Sequence, residues 1–85
     1  MQDRPRKTDG LQIDQVEDGF VVYQEDRARV HYLNPTAKLI LELCDGTLTA
    51  AQIAGLIEEA FSLAQPPRQE VDDALATLET EGLVH

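Results

Sequence analysis

The 85-residue sequence contains a single cysteine, Cys44, and no tryptophan. One cysteine cannot build a disulfide framework. The two histidines, His31 and His85, lie far apart and have no cysteine or carboxylate partner at the spacing typical of metal ligands. A disulfide scaffold and a metal centre are therefore not expected.

Long apolar runs and basic residues are also scarce. No stretch resembles a signal sequence or a membrane span, so we expect a soluble, cytoplasmic protein. Seven basic residues stand against 16 acidic ones, which gives a net charge of −9. From His31 onwards the only basic residues are Lys38 and Arg68, so a phosphate backbone would be repelled. Nucleic acid and membranes are not expected as partners.

Catalytic motifs are missing too. There is no Gly-rich phosphate loop and no catalytic triad order, and no paired-carboxylate motif rises above the background of so acidic a chain. A domain of this size buries about 60–65% of its unfolded surface, which is too little to enclose an active site. The only serine, Ser62, lacks the Asp-Ser-Leu setting of an acyl carrier protein. We expect a binding module with no enzymatic activity and no cofactor.

The N-terminal half predicts a tail followed by strands. Residues 1–10 are polar and aperiodic, which favours a flexible tail ahead of one domain over residues 11–85. A weak strand over residues 11–16 is followed by Asp18-Gly19, a two-residue hairpin signal, and by a second strand over residues 20–23. A polar turn over residues 24–27 leads into a third strand, Ala28–Leu33, whose alternation predicts one covered side.

Three helices are predicted next. Asn34 is an N-cap before Pro35, and Asp45-Gly46 stops a central helix on whose apolar face Cys44 lies as a core residue. Thr49 and Gln52 form a capping box for a second helix, which Pro66-Pro67 ends. The third helix runs from about Arg68 to Glu81, and Leu83 and Val84 are expected to dock on the core.

The predicted fold is α+β, a winged helix-turn-helix with a three-stranded antiparallel sheet followed by three helices. A winged helix suggests a DNA-binding protein. The third helix, however, would carry Arg68 against five acidic residues and would repel DNA.

One ordered set of residues is distinctive: Leu33-Asn34, Ala37, Ile40-Leu41-Glu42-Leu43-Cys44-Asp45-Gly46, Thr49, Ile53, Val71, Leu75, Leu78 and Gly82-Leu83. This set resembles the PqqD family, the small proteins and fused domains called RiPP recognition elements, over roughly residues 20 to 84. Ala74 stands where the family often has a bulky residue, which would alter the groove on the third helix.

The resemblance implies a non-catalytic peptide chaperone that binds the leader segment of a ribosomally synthesised precursor peptide and presents it to a modifying enzyme. In that family the leader adds a strand to the third strand, beside the third helix. The implied partners are the precursor peptide and an enzyme, such as a radical S-adenosylmethionine (radical SAM) protein or a leader peptidase and cyclase system. The same strand edge could pair with a second copy, so a homodimer or a generic protein-interaction module is the alternative.

Two flanks of the third helix could face the third strand. One consists of Arg68, Asp72, Leu75 and Glu79, and the other of Glu70, Ala74, Thr77 and Glu81. We favour the first, because Leu75 gives it an apolar anchor between charges. The predicted peptide-binding residues are therefore Ala28, Arg29, Val30, His31, Tyr32, Leu33, Arg68, Asp72, Leu75 and Glu79.

Overall fold

A computed structural model of the chain describes residues 4–24 and 28–85. These residues form three strands followed by three helices. The predicted α+β class and element order are confirmed. The elements are β1 (Leu11–Val16), β2 (Gly19–Gln24), β3 (Arg29–Leu33), α1 (Pro35–Leu43), α2 (Ala50–Ala60) and α3 (Arg68–Thr80).

The sheet is antiparallel in the order β1-β2-β3, so β3 is an edge strand. Val16 lies opposite Gly19, which makes Glu17-Asp18 the hairpin turn instead of the predicted Asp18-Gly19. Gly19 has another role, because a Cβ added there would lie 2.5 Å from the carbonyl oxygen of Leu33. The glycine thus permits a close approach between β2 and β3.

β3 begins one residue later than predicted. Ala28 has a φ of +50°, in the left-handed region, and belongs to the turn before the strand. The remainder of the predicted polar turn, residues 25–27, lies outside the described residues. The strand alternates as expected: Val30 and Tyr32 are exposed, whereas His31 and Leu33 face the helices.

The caps of α1 and α2 are those predicted. The Asn34 side chain accepts a hydrogen bond from the Ala37 N–H at 2.8 Å, and Gly46 beyond the helix has a φ of +85°. Thr49 and Gln52 exchange both bonds of the capping box. Local sequence therefore determines where both helices begin.

The end of α2 differs from the prediction. The helix stops at Ala60, well before Pro66-Pro67, and Ser62 has a φ of +53°. The apolar stripe of α2 is only partly covered: Ile53 and Ile57 are buried, whereas Phe61 is 46% exposed.

The core lies between the sheet and the helices. Leu83 and Val84 dock onto it after α3, as predicted. α3 contributes Val71, Leu75 and Leu78 to the core. Gly82, two residues after the end of α3, has a φ of +77°. The buried apolar residues are Val22, Leu33, Ile40, Leu41, Cys44, Ile53, Ala54, Ile57, Val71, Leu75, Leu78, Leu83 and Val84.

Part of the N-terminal segment, for which the sequence predicted a flexible tail over residues 1–10, packs against the domain. Pro5 is buried, and Arg6 exchanges backbone hydrogen bonds of 2.8 and 2.9 Å with His85. The Lys7 N–H donates to the Cys44 carbonyl at 2.7 Å, so the segment lies between the end of α1 and the C terminus. These partners are distant in sequence, which is why the polar composition did not reveal them. Residues 1–3 lie outside the described ranges.

Candidate functional site

The outer edge of β3 is the first feature of the candidate site. In the described part of the chain, β3 pairs with β2 on one side and has no strand on the other. Val30 is 65% exposed and Tyr32 is 58% exposed. A free edge presents backbone N–H and C=O groups that another extended chain can pair with.

A groove separates the end of β3 from α3. It measures about 310 Å³ and has one charged lining residue, Glu81. We call it the β3 groove. It is lined by Tyr32, Leu33 and Asn34 around the end of β3, Ala37 of α1, and Ala74, Thr77, Leu78 and Glu81 of α3 and its C-cap.

A polar network holds one end of this groove in place. His31 Nδ1 lies 2.7 Å from a Glu81 carboxylate oxygen, and His31 Nε2 lies 2.7 Å from Gln24 Oε1. The Gln24 amide in turn donates to the Gly82 carbonyl at 3.3 Å, and the Thr8 hydroxyl donates to the same carbonyl at 2.7 Å. Because Gln24 is only 4% exposed, these bonds satisfy groups that water barely reaches. The network fixes the end of α3 against the sheet.

The structure corrects the helical flank favoured from the sequence. Leu75 is fully buried and cannot form a groove wall. Arg68 and Asp72 pair with each other at 3.1 Å, and neither they nor Glu79 line the β3 groove. The second flank supplies Ala74, Thr77 and Glu81 instead. A helical wheel is symmetric about its apolar stripe, so only the tertiary packing reveals which side β3 lies on.

The groove also contains two residues that were not predicted from the sequence, Asn34 and Ala37, which belong to the cap and first turn of α1. Glu81, the C-cap of α3, belongs to the flank that was considered but not favoured. Asn34 and Ala37 immediately follow β3 in the chain, a sequence signal that could have suggested their place. No local pattern connects Glu81 with His31, which is 50 positions away.

Cys44 is a core residue, as predicted. It is 2% exposed, and its thiol lies 3.1 Å from the Ile40 carbonyl, to which it donates. Burial, with a smaller contribution from the Asp45 carboxylate, raises the pKa of the thiol to about 11. Because the thiolate is the reactive form, this residue has no nucleophilic character at neutral pH.

Asp45 has a structural role in the turn after α1. Its carboxylate accepts hydrogen bonds from the hydroxyl and the backbone N–H of Thr47, at 2.6 and 2.9 Å. These bonds hold the pKa of Asp45 below its ordinary value. Together with Gly46, they fix the connection that leads to α2.

Two other kinds of site are not present in the ranges 4–24 and 28–85. No three His, Cys, Asp or Glu side chains there are arranged to hold a metal ion. No helix within those ranges has both the length and the apolar character needed to cross a bilayer.

Comparison with known proteins supports the resemblance noted in the sequence. No curated protein and no solved structure matched the chain significantly. The family model described as "Coenzyme PQQ synthesis protein D (PqqD)" matches residues 19–84, which include the whole of β2, β3 and the three helices. The chain therefore belongs to the PqqD family.

Proposed function

We propose that this chain binds the leader segment of a ribosomally synthesised precursor peptide by strand addition to β3, and presents the peptide to a modifying enzyme. In this role it is a cytoplasmic, non-catalytic peptide chaperone in the biosynthesis of PQQ or of a related peptide-derived product. Membership of the PqqD family supports the general role in such a pathway.

The observation that carries the proposal is the position of the β3 groove directly beside a free strand edge. Backbone groups of β3 can supply affinity that depends little on the peptide sequence, while the groove selects side chains. The groove floor includes Leu33 and Leu78, which are 6% and 2% exposed. An apolar peptide side chain placed there would lose water contact at a preformed surface.

The proposed contacts combine part of the sequence prediction with the corrected flank. The backbone of Arg29–Leu33 pairs with the peptide, and Ala74, Thr77 and Glu81 face it from α3. Ala28 lies in the turn before the strand and is a peripheral contact. Arg68, Asp72, Leu75 and Glu79 have no place in this interface.

The proposed partner enzyme provides the chemistry. A radical SAM protein carries iron–sulfur clusters, which need several cysteine ligands, and this chain has one buried cysteine. A leader peptidase and cyclase system would use the same peptide-binding step. In either case the chain's contribution is to hold the leader.

Thr77 offers a direct test, because it is exposed and lines the groove. Thr77→Trp should fill the β3 groove and weaken binding of the cognate leader peptide by about tenfold or more. Ala76→Trp is the matched control, since Ala76 is the neighbouring exposed residue and lies outside the groove. Equal affinities of the two variants, measured by calorimetric titration, would overturn the proposal.

A second copy of the chain is the competing occupant of the β3 edge. Antiparallel pairing of β3 with its own copy would use the same backbone groups and would also cover Val30. Sedimentation of the free protein distinguishes the two cases. Under the proposal the protein is monomeric without peptide, and a dimer that the leader does not dissociate would favour the generic interaction module.

A further inference from the structure

A second concavity continues the line of the β3 groove along α3. It lies between the first half of α1, the end of α2 and the first turn of α3, and it measures about 400 Å³. We call it the α2 cavity. Its lining includes Thr36, Ile40, Ile57, Phe61, Leu63 and Glu70.

The two concavities are neighbours on the same pair of helices. On α1, Thr36 lines the α2 cavity and the next residue, Ala37, lines the β3 groove. On α3, Glu70 lines the α2 cavity and Ala74, one helical turn later, lines the groove. Since both groove residues at this junction are alanine, small side chains separate the two concavities.

The α2 cavity exposes apolar side chains that no described residue covers. Phe61 is 46% exposed and Leu63 is 41% exposed, although the helical period of α2 predicts that Phe61 faces inward. The same cavity has Ile40 and Ile57, each 1% exposed, among its lining residues. A concave apolar surface of this kind is typical of a binding site for an apolar side chain.

The two concavities each carry one carboxylate, and only one of these carboxylates has an ion-pair partner among the described residues. Each has one charged lining residue, Glu81 in the β3 groove and Glu70 in the α2 cavity. Glu81 pairs with His31, whereas Glu70 forms no ion pair with any other described residue. A carboxylate at the rim of an apolar pocket favours a ligand that carries a positive charge next to an apolar side chain.

We propose that the α2 cavity receives a second apolar side chain of the peptide that pairs with β3, followed by a basic residue that faces Glu70. This inference rests on the proposed function and extends it to the chemistry of the ligand. Glu70 and Glu81 are 11 positions apart. That is about 16 Å along a helix axis, which an extended peptide covers in about five residues. The ligand thus contains two apolar residues about five positions apart, and a basic residue follows the one that enters the α2 cavity.

A displayed library of random peptides, each about 16 residues long, tests this ligand chemistry. The full chain is used for selection, and the selected peptides are then titrated into variants that circular dichroism shows to be folded. We expect selected peptides to carry both apolar residues and the basic residue that follows the second. Glu70→Lys should weaken their binding by about tenfold. Asp73→Lys, which makes the same charge change on an exposed residue of α3 outside both concavities, should leave binding unchanged.

The other outcomes separate this inference from the proposed function. Peptides that lack the apolar-basic pair, bind wild type and Glu70→Lys equally and lose affinity with Thr77→Trp would overturn the inference and support strand addition at β3. If no selected peptide responds to Thr77→Trp, or none is selected, both proposals are overturned. A dimer of the free protein that Glu70→Lys dissociates would place a second copy in the α2 cavity and would also overturn the inference.

Discussion

His31 Nδ1 on β3 lies 2.7 Å from the Glu81 carboxylate at the end of α3. Of the two residues, Glu81 lines the β3 groove, and the contact ties the end of α3 to β3 beside it. The His31 side chain is only 12% exposed, so the contact is shielded from solvent more than a surface pair would be.

A double-mutant cycle should measure this contact. With His31→Ala and Glu81→Ala we expect a coupling free energy of about 0.5–1.5 kcal/mol, because a hydrogen bond to a charged partner is lost from a half-buried position. Arg68 and Asp72 form the comparison pair, at 3.1 Å and with side chains 56% and 44% exposed. Their cycle should give less than about 0.5 kcal/mol. Denaturant unfolding measures the coupling free energies of both pairs. Equal coupling free energies for the two pairs would contradict the structural role of His31 and Glu81.

Gly19 should tolerate no side chain. In Gly19→Ala the new Cβ would meet the Leu33 carbonyl at 2.5 Å and the Tyr32 hydroxyl at 2.7 Å, so β3 would have to shift. We expect a loss of about 1–3 kcal/mol in the free energy of unfolding. Gly55→Ala is the matched control, because no atom lies within 4 Å of the added Cβ in α2. The free energy of unfolding of Gly55→Ala should rise by up to about 1 kcal/mol. If Gly19→Ala left the free energy of unfolding unchanged, β2 and β3 would have to lie further apart than the structure shows.

Cys44 should make stability depend on alkaline pH. Its thiol pKa is raised from an ordinary value of 9.0 to about 11 in the folded state. The unfolded thiol therefore loses its proton first, and the stabilisation present below pH 9.0 is lost as the pH rises towards about 11. The difference in unfolding free energy between wild type and Cys44→Ala should shrink across this range. A difference independent of pH would mean that the thiol is not buried.

Local signals account for much of what the sequence predicted. Asn34 and Thr49 cap helices through bonds that span three residues, so a short stretch of sequence contains both partners. A turn glycine such as Gly46 is an equally local signal, because its positive φ depends on that residue alone. The strand pattern also identified β3 to within one residue, because alternation depends only on which side is covered.

Two of the misplaced features depend on distant partners. Pro5 and Arg6 look like parts of a polar tail until the C-terminal residues and the end of α1 are placed beside them. Leu75 lies at the centre of a stripe whose two sides are equivalent on a helical wheel, and β3 occupies the side of Ala74. The early end of α2 is local instead: it coincides with the left-handed backbone at Ser62, for which the sequence offers no glycine as a signal.

Hydrogen exchange of the β3 amides tests strand addition most directly. N–H groups of consecutive strand residues point to opposite edges, so a bound leader should newly protect alternate amides of Arg29–Leu33. β1 is the internal control, because it forms the other edge of the same sheet. With the cognate leader peptide bound, nuclear magnetic resonance should show slowed exchange of the β3 amides and unchanged exchange of the β1 amides. Unchanged exchange on β3 in a saturated complex, or protection of β1 instead, would contradict binding at the β3 edge.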